Sequence, residues 1–255
     1  MIYSSILETL KQKKLFALLI DPEEYDTKDV KGVIDYANVS DVDYIFVGGS
    51  HITNMNWFET CIQTIKKITQ IPIIIFPGSY MQVSGKADAI LLLNLISGRN
   101  PDYLIGHHVL AAQSIKKSGI EVIPTGYILI ENGKTTSVEY ISNTKPIPVD
   151  KSDIIISTAM AGEMMGNKLL YLEAGSGAIK PVHSEIIKKV KQNIEIPLIV
   201  GGGISDRETV NEIYNAGADI VVVGNAAEKK PEIIPYLSLV SKNNMERYNL
   251  KKEVR

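Results

Sequence analysis

Cysteine is nearly absent from this chain. Cys61 stands alone among 255 residues, so no intrachain disulfide can form and a reducing compartment is expected. Cys61 itself reads as a small buried apolar residue on a helix rather than a reactive thiol. With one cysteine and four histidines, no cluster has the ligand spacing of a zinc site. Nor can a Ser-His-Asp nucleophile arrangement be argued from the spacing. Long hydrophobic runs are missing too. The longest, such as Ala89–Leu93, fall well short of the roughly 20 residues of a membrane-spanning helix. Met1 to Lys14 mixes polar and apolar residues without a small-residue cleavage site, so no secretory leader is expected and the chain reads as cytoplasmic. Charge is balanced, with 27 basic against 29 acidic residues and a net charge of −2; a broad nucleic-acid footprint is excluded. No solenoid repeat and no linker rich in Pro, Gly or Ser divides the chain. One domain over residues 1–240 is expected, followed by a polar tail at 241–255.

What is present is a hydrophobic content of 45%, enough for a full core at a length typical of one α/β barrel. Continuous apolar runs recur at Leu15–Ile20, Tyr44–Val47, Ile71–Phe76, Asp88–Leu93, Glu121–Ile130, Leu169–Glu173, Ile196–Val200 and Asp219–Val223. Such runs suit strands buried on both faces, as in a parallel sheet. Helical spacing lies between most of them, for example Val30, Val33, Ile34 and Ala37, or Val210, Ile213 and Ala216. Eight strands alternating with helices predict a closed (β/α)₈ TIM barrel, ahead of an open doubly wound sheet.

Two irregularities qualify that pattern. Pro77 to Ala87 is too short, and too rich in Gly and Ser, for a crossover with a packed helix. An extended segment is therefore expected between the third and fourth strands, leaving a slot in the outer ring. Asn132-Gly133, between Tyr127–Glu131 and Thr136–Ile141, predicts a β-hairpin excursion from the fifth strand. A helix is expected from near Asp150 to Gly166-Asn167.

In such a barrel the carboxyl ends of the strands carry the chemistry. Three glycine clusters fall there: Tyr171-Leu172-Glu173-Ala174-Gly175-Ser176-Gly177, then Gly201-Gly202-Gly203, then Gly224-Asn225. Glycine lets backbone N–H groups approach an anion closely, and the last two loops of a barrel commonly cradle phosphate. Each cluster alone could merely turn the chain; three on one rim point to a phosphate site. Glu173 could accept a hydrogen bond from a substrate hydroxyl or remove its proton, or be a solvated or ion-paired carboxylate. Tyr171 shares its side-chain parity. Across the rim, Asp21 and Ser50 offer hard oxygen ligands suited to Mg²⁺ completed by water and phosphate, although Asp21 could instead cap a helix. Arg99 could meet a diphosphate or form a structural ion pair. His51 is well placed but isolated; His107, His108 and His183 fall at helices and receive no role.

Taken together these residues resemble the geranylgeranylglyceryl phosphate synthase family, the PcrB-like barrel prenyltransferases. The most specific segments are Val47-Gly48-Gly49-Ser50, Ser97-Gly98-Arg99-Asn100-Pro101-Asp102-Tyr103-Leu104-Ile105-Gly106 and Tyr171 to Gly177. The hairpin signal is similar to the branch that makes the C20 product. The resemblance implies transfer of a geranylgeranyl group from its diphosphate to sn-glycerol 1-phosphate. It implies Mg²⁺ held by Asp21 and Ser50, and glycerol 1-phosphate held by Tyr171 to Gly177, Gly202, Gly203, Gly224 and Asn225. Glu173 would serve as hydrogen-bond acceptor or base, the slot beside Pro77–Ala87 as the route for the prenyl chain, and the assembly would be a dimer or hexamer. Transient membrane contact without an anchor would suit an enzyme handling lipid. Two other readings use the same cradle: a phosphosugar isomerase or aldolase, for which Schiff-base chemistry would want a rim lysine not found at the strand ends, and a non-catalytic phosphate-binding regulator.

Overall fold

The computed structural model describes residues 1–50 and 54–242. Its chain order is α1 (Ile2–Leu10), β1 (Leu15–Ile20), α2 (Thr27–Asn38), β2 (Tyr44–Val47), α3 (Met55–Ile68), β3 (Ile73–Ile75), β4 (Ala89–Leu95), α4 (His107–Ser118), β5 (Glu121–Leu129) and α5 (Ser137–Ser142). There follow α6 (Ser152–Met164), β6 (Leu169–Glu173), α7 (Ser184–Lys191), β7 (Leu198–Gly201), α8 (Arg207–Ala216), β8 (Ile220–Val223), α9 (Asn225–Lys229) and α10 (Ile234–Ser238). The strands close in sequence order, β8 returning to β1, with every pairing parallel. The expected (β/α)₈ barrel is therefore present.

Strand alternation splits the core into two shells. Phe16, Leu18, Val47, Leu170 and Leu172 face outward against the helices. Leu15, Ala17, Phe46, Leu91, Tyr127, Leu169 and Tyr171 fill the interior. Near the top of that interior, rings stack into a floor. Phe76 lies 5.3 Å from Tyr171 and 6.0 Å from Tyr127, centroid to centroid, and Tyr127 lies 5.3 Å from Tyr171. Such offset aromatic packing leaves no channel down the barrel. At the other end α1 closes the bottom, burying Ile6. The free first-turn amides of α1 are met by the Glu121 carboxylate at the start of β5, which accepts from Ile2 and Tyr3.

No helix forms between β3 and β4, as the short Pro77–Ala87 connection predicted. The segment is tied down by Gln82, a fully buried amide: it accepts from the Gly78 N–H at 2.9 Å and donates to the Gly49 carbonyl at 3.2 Å. The hairpin expected at Asn132-Gly133 is absent. Gly133 does turn the chain, with φ +83°, but the sequence beyond it is the helix α5. The Thr136 hydroxyl accepts from the Glu139 N–H and caps that helix. Only an isolated parallel bridge, Ile130 to Ile147, remains of the strand expectation. Val138 and Ile141 fit α5 because their three-residue spacing places both on one helical face. The helix expected near Asp150 is α6, and Gly166 ends it with φ +89°. Cys61 is buried on α3, its thiol pushed up to about 12 by burial and the nearby Asp21 charge. Of the expected tail, Ser241 is buried and Lys242 pairs with Asp41; the remainder, like His51, lies outside the described residues.

Candidate active site

The strand ends bring the three glycine clusters together. Residues from the loops after β6, β7 and β8, including Glu173, Ser176, Gly177, Gly202, Gly203, Gly224 and Asn225, line one polar pocket. Asp21, Glu24, Gly49 and Ser50, from the loops after β1 and β2, line its other wall. Tyr171 lines the pocket from below, whereas Leu172 and Ala174 are buried behind it.

Glu173 is the most enclosed carboxylate of the site. One oxygen accepts from the Gly175 N–H at 2.7 Å, and the Tyr171 hydroxyl donates to the same group. Burial outweighs both bonds and lifts its pKa to about 7. It has no ion-pair partner among the described residues, which removes the ion-paired reading. Tyr127 and Tyr171, fully enclosed and facing the Glu173 charge, have hydroxyls pushed far above the usual phenol range, so both stay protonated donors.

The glycines make this fit possible. Gly202 has φ +85°, and a Cβ there would overlap the Glu173 carboxylate. At Gly201 a Cβ would overlap the Tyr171 hydroxyl. Asn225 knits two of the loops, its Oδ1 accepting from the Gly177 N–H and the Ser176 hydroxyl, both at 3.1 Å.

On the opposite wall both sequence readings of Asp21 coexist. One oxygen caps the short helical turn Pro22–Glu24 by accepting from the Glu23 N–H at 3.1 Å. The carboxylate also faces the pocket, and burial, with the Glu24 and Glu23 charges adding to it, lifts its pKa to about 6 against the pull of the Glu23 N–H. Gly49 leaves the space that this carboxylate occupies, since a Cβ there would overlap it. Four carboxylates, Asp21, Glu24, Glu173 and Glu228, line the pocket against a single ammonium, Lys229, among the described residues. Arg99 stands apart. Its guanidinium donates to the carbonyls of Ile96 and Gly98, closing the turn after β4, and lines a separate surface hollow.

A second pocket opens where the β3–β4 helix is missing. It is almost wholly apolar, lined by Val83 and Leu91 to Leu93, by Ala111 and Ile115 of α4, and by Val138 and Ile141 of α5. His108 lies in its wall with both ring nitrogens against backbone carbonyls, Leu93 at 2.8 Å and Leu104 at 3.1 Å, so it builds the wall. Gly49, Ser50, Phe76, Tyr127 and Val138 line both pockets and mark their junction. Sequence reading missed Gly49, Gln82 and Glu228. Gly49 lay inside a quoted motif, and its role became visible only when Asp21 came to rest against it; Gln82 and Glu228 carry no motif signal.

Residues 8–239 match the profile of the PcrB family. The chain is 50% identical over 234 residues to the geranylgeranylglyceryl phosphate synthase of Chitinophaga pinensis, covering 91% of this chain and 92% of that protein. It is 41% identical over 228 residues to the synthase of the same name from Thermococcus gammatolerans, covering 89% and 90%. Among solved structures, (S)-3-O-geranylgeranylglyceryl phosphate synthase from Thermoplasma acidophilum, in complex with its substrate sn-glycerol-1-phosphate, superposes with a TM-score of 0.90 at 32% identity. That match covers 95% of this chain and 98% of the other. An N-acetylmannosamine-6-phosphate 2-epimerase from Clostridium perfringens, at 14% identity and a TM-score of 0.56, shares the fold alone.

Proposed function

The chain belongs to the PcrB family, and from that membership we infer that it is a geranylgeranylglyceryl phosphate synthase, joining sn-glycerol 1-phosphate to geranylgeranyl diphosphate with release of diphosphate. The observation that carries this reading is the junction. A pocket lined by three glycine-rich loops meets a long apolar slot at Gly49, Ser50, Phe76, Tyr127 and Val138. A phosphorylated alcohol and a prenyl chain entering from opposite sides would meet there.

The mechanism follows from the charges. The C3 hydroxyl oxygen of glycerol 1-phosphate bonds to the prenyl C1, the C1–O bond to diphosphate breaks, and the hydroxyl proton passes to Glu173. Holding both partners at the junction replaces a bimolecular encounter with an oriented pair. The phosphate of the alcohol takes amides from Gly202, Gly203, Gly224 and Asn225, while the Gly177 N–H stays on the Asn225 Oδ1 and holds its loop in place. Glu173 suits the proton step because its pKa of about 7 matches the operating pH. Positive charge developing at C1 would lie beside the Tyr127 and Phe76 rings that line the junction, and electron-rich aromatic rings favour a nearby cation. The aromatic floor and the tight slot keep water from the same carbon.

Mg²⁺ suits the donor set. Asp21 and Ser50 are hard oxygen donors on the wall nearest the slot, too few by themselves to fill a divalent ion's shell. That is the habit of a magnesium site, which keeps water and phosphate oxygens in its shell. Four carboxylates and two anionic substrates in one pocket also call for a cation. When bound, the ion would stabilise negative charge on the departing diphosphate. We further infer a homo-oligomer, a dimer or hexamer, supported by Ile105, Val109 and Leu110 standing exposed beside and on α4. No described helix is long and apolar enough to cross a membrane.

Incubating the protein with radiolabelled sn-glycerol 1-phosphate, Mg²⁺ and prenyl diphosphates of graded length tests the reading. An organic-extractable ether product, greatest with the C20 donor, is expected. No extractable product with any donor would overturn it.

A further inference from the structure

We propose that Glu228, which sits between the two walls of the polar pocket, is a positioning residue that couples the glycerol-phosphate cradle to the cation side. The inference deepens the function proposed above and rests on it.

Glu228 lies in α9, half-buried at the pocket edge. Its Oε2 accepts from the Asn225 Nδ2 at 3.0 Å. The Asn225 amide is thereby oriented from both ends: its Oδ1 faces two donors, the Gly177 N–H and the Ser176 hydroxyl, and its Nδ2 faces a carboxylate. A flipped amide would put NH₂ against the Gly177 N–H and a carbonyl against an anion, each an unsatisfied arrangement. Without Glu228 only the cradle end of that constraint remains. On its other side Glu228 faces the Asp21 backbone N–H and stands within the field of the Asp21 and Glu24 charges. A continuous chain of polar contacts thus runs from the loop after β6, through Asn225 and Glu228, to the loop after β1.

The physical consequence is directional. With no cation present, the Asp21 and Glu228 carboxylates repel each other across the pocket, and a divalent ion at Asp21 relieves that repulsion. The Glu228–Asn225 bond, already made at 3.0 Å, is then opposed by less repulsion, and it holds Gly177 and Ser176 in the cradle. Filling the cation side should tighten the cradle, and by linkage the reverse must hold. Two elements far apart in sequence are bridged at this point.

Calorimetric titration with sn-glycerol 1-phosphate, with and without Mg²⁺ plus inorganic diphosphate, measures the coupling directly. In the wild type the magnesium–diphosphate pair should tighten glycerol 1-phosphate binding by about fivefold or more. In Glu228→Ala the factor should fall to about one, and affinity for glycerol 1-phosphate alone should drop by about tenfold. Glu228→Gln keeps an acceptor for Asn225 but loses the charge. It should bind glycerol 1-phosphate alone within about twofold of wild type while the coupling factor still collapses, an outcome a purely structural role would not produce. Should the alanine variant fail to fold, the near-isosteric glutamine variant carries the same decision. Wild-type coupling retained in both variants would overturn the proposal, as would a wild type in which the two ligands bind independently. A wild type that binds no glycerol 1-phosphate would overturn the synthase reading itself, and this inference with it.

Discussion

The polar cradle and the apolar slot meet at five residues but are built on opposite principles. The cradle is made largely of backbone: glycines at positive φ, amides held in register, and one buried carboxylate locked by Gly175 and Tyr171. The slot is made by omission, a helix left out between β3 and β4, with its walls supplied by side chains from α4 and α5. A backbone cradle has little tolerance for added atoms, whereas a side-chain-lined slot responds to volume by degrees. Selectivity for the phosphorylated alcohol should therefore be stringent, and selectivity for chain length adjustable.

The largest effect is expected at Glu173. Glu173→Gln should lower the single-turnover rate by about a hundredfold or more while leaving both affinities close to wild type; near-normal turnover would remove Glu173 from the chemistry. In the wild type the rate should rise with pH through about 7 as this carboxyl ionises. The same group implies a stability change of known sign. Its folded pKa lies above the ordinary carboxylate value, so ionisation in the fold costs stability, beginning above pH 4.5 and complete above about pH 7. Glu173→Gln should thus be the more stable protein at pH 8, by about 3 kcal/mol, and no more stable at pH 4, as urea titration would show.

Gly202→Ala comes next. A methyl group there overlaps the Glu173 carboxylate and crowds the Gly175 and Ala174 amides, so KM for glycerol 1-phosphate should rise about thirtyfold or more with chain-length preference intact. Asp21→Asn should raise the Mg²⁺ concentration needed for half-maximal rate by about tenfold, and an unchanged magnesium titration would take Asp21 out of the metal site. The smallest effect belongs to the slot. Ala111→Phe should raise KM for the C20 donor by about fivefold and favour shorter prenyl diphosphates, with KM for glycerol 1-phosphate unmoved. If Ala111→Phe disturbed the cradle, or Gly202→Ala changed chain-length preference, the division between the two halves would not stand.

Much of this arrangement was legible in the sequence because parallel strands announce themselves as unbroken apolar runs. Leu15–Ile20, Tyr44–Val47 and Leu169–Glu173 begin and end in the structure where the runs do. The missing helix was legible too, since Pro77–Ala87 has too few residues to make one. The Asn132-Gly133 turn misled because a hairpin signal is local, whereas the capping Thr136 and the apolar face of Val138 and Ile141 decided the outcome as a helix. Glu228 was invisible for a different reason. In Ala227-Glu228-Lys229-Lys230 it looks like one charge of a solvated surface, and only closure of β8 onto β1 carries it to Asp21. The slot lining was likewise unreadable, because α4 and α5 reach it from distant parts of the chain.

The four packed rings at the top of the barrel tie evolvability to thermal endurance. Phe76, Tyr127 and Tyr171 are at once the ceiling of the barrel core and the floor of the polar pocket, with Phe46 packed beneath Phe76. Deepening the site for a bulkier alcohol would mean trimming one of them, and truncation of a packed ring to alanine costs about 3–5 kcal/mol. Lineages exploring new acceptor alcohols on this scaffold would have to reinforce the barrel elsewhere first, while those exploring new prenyl lengths could do so without touching its core.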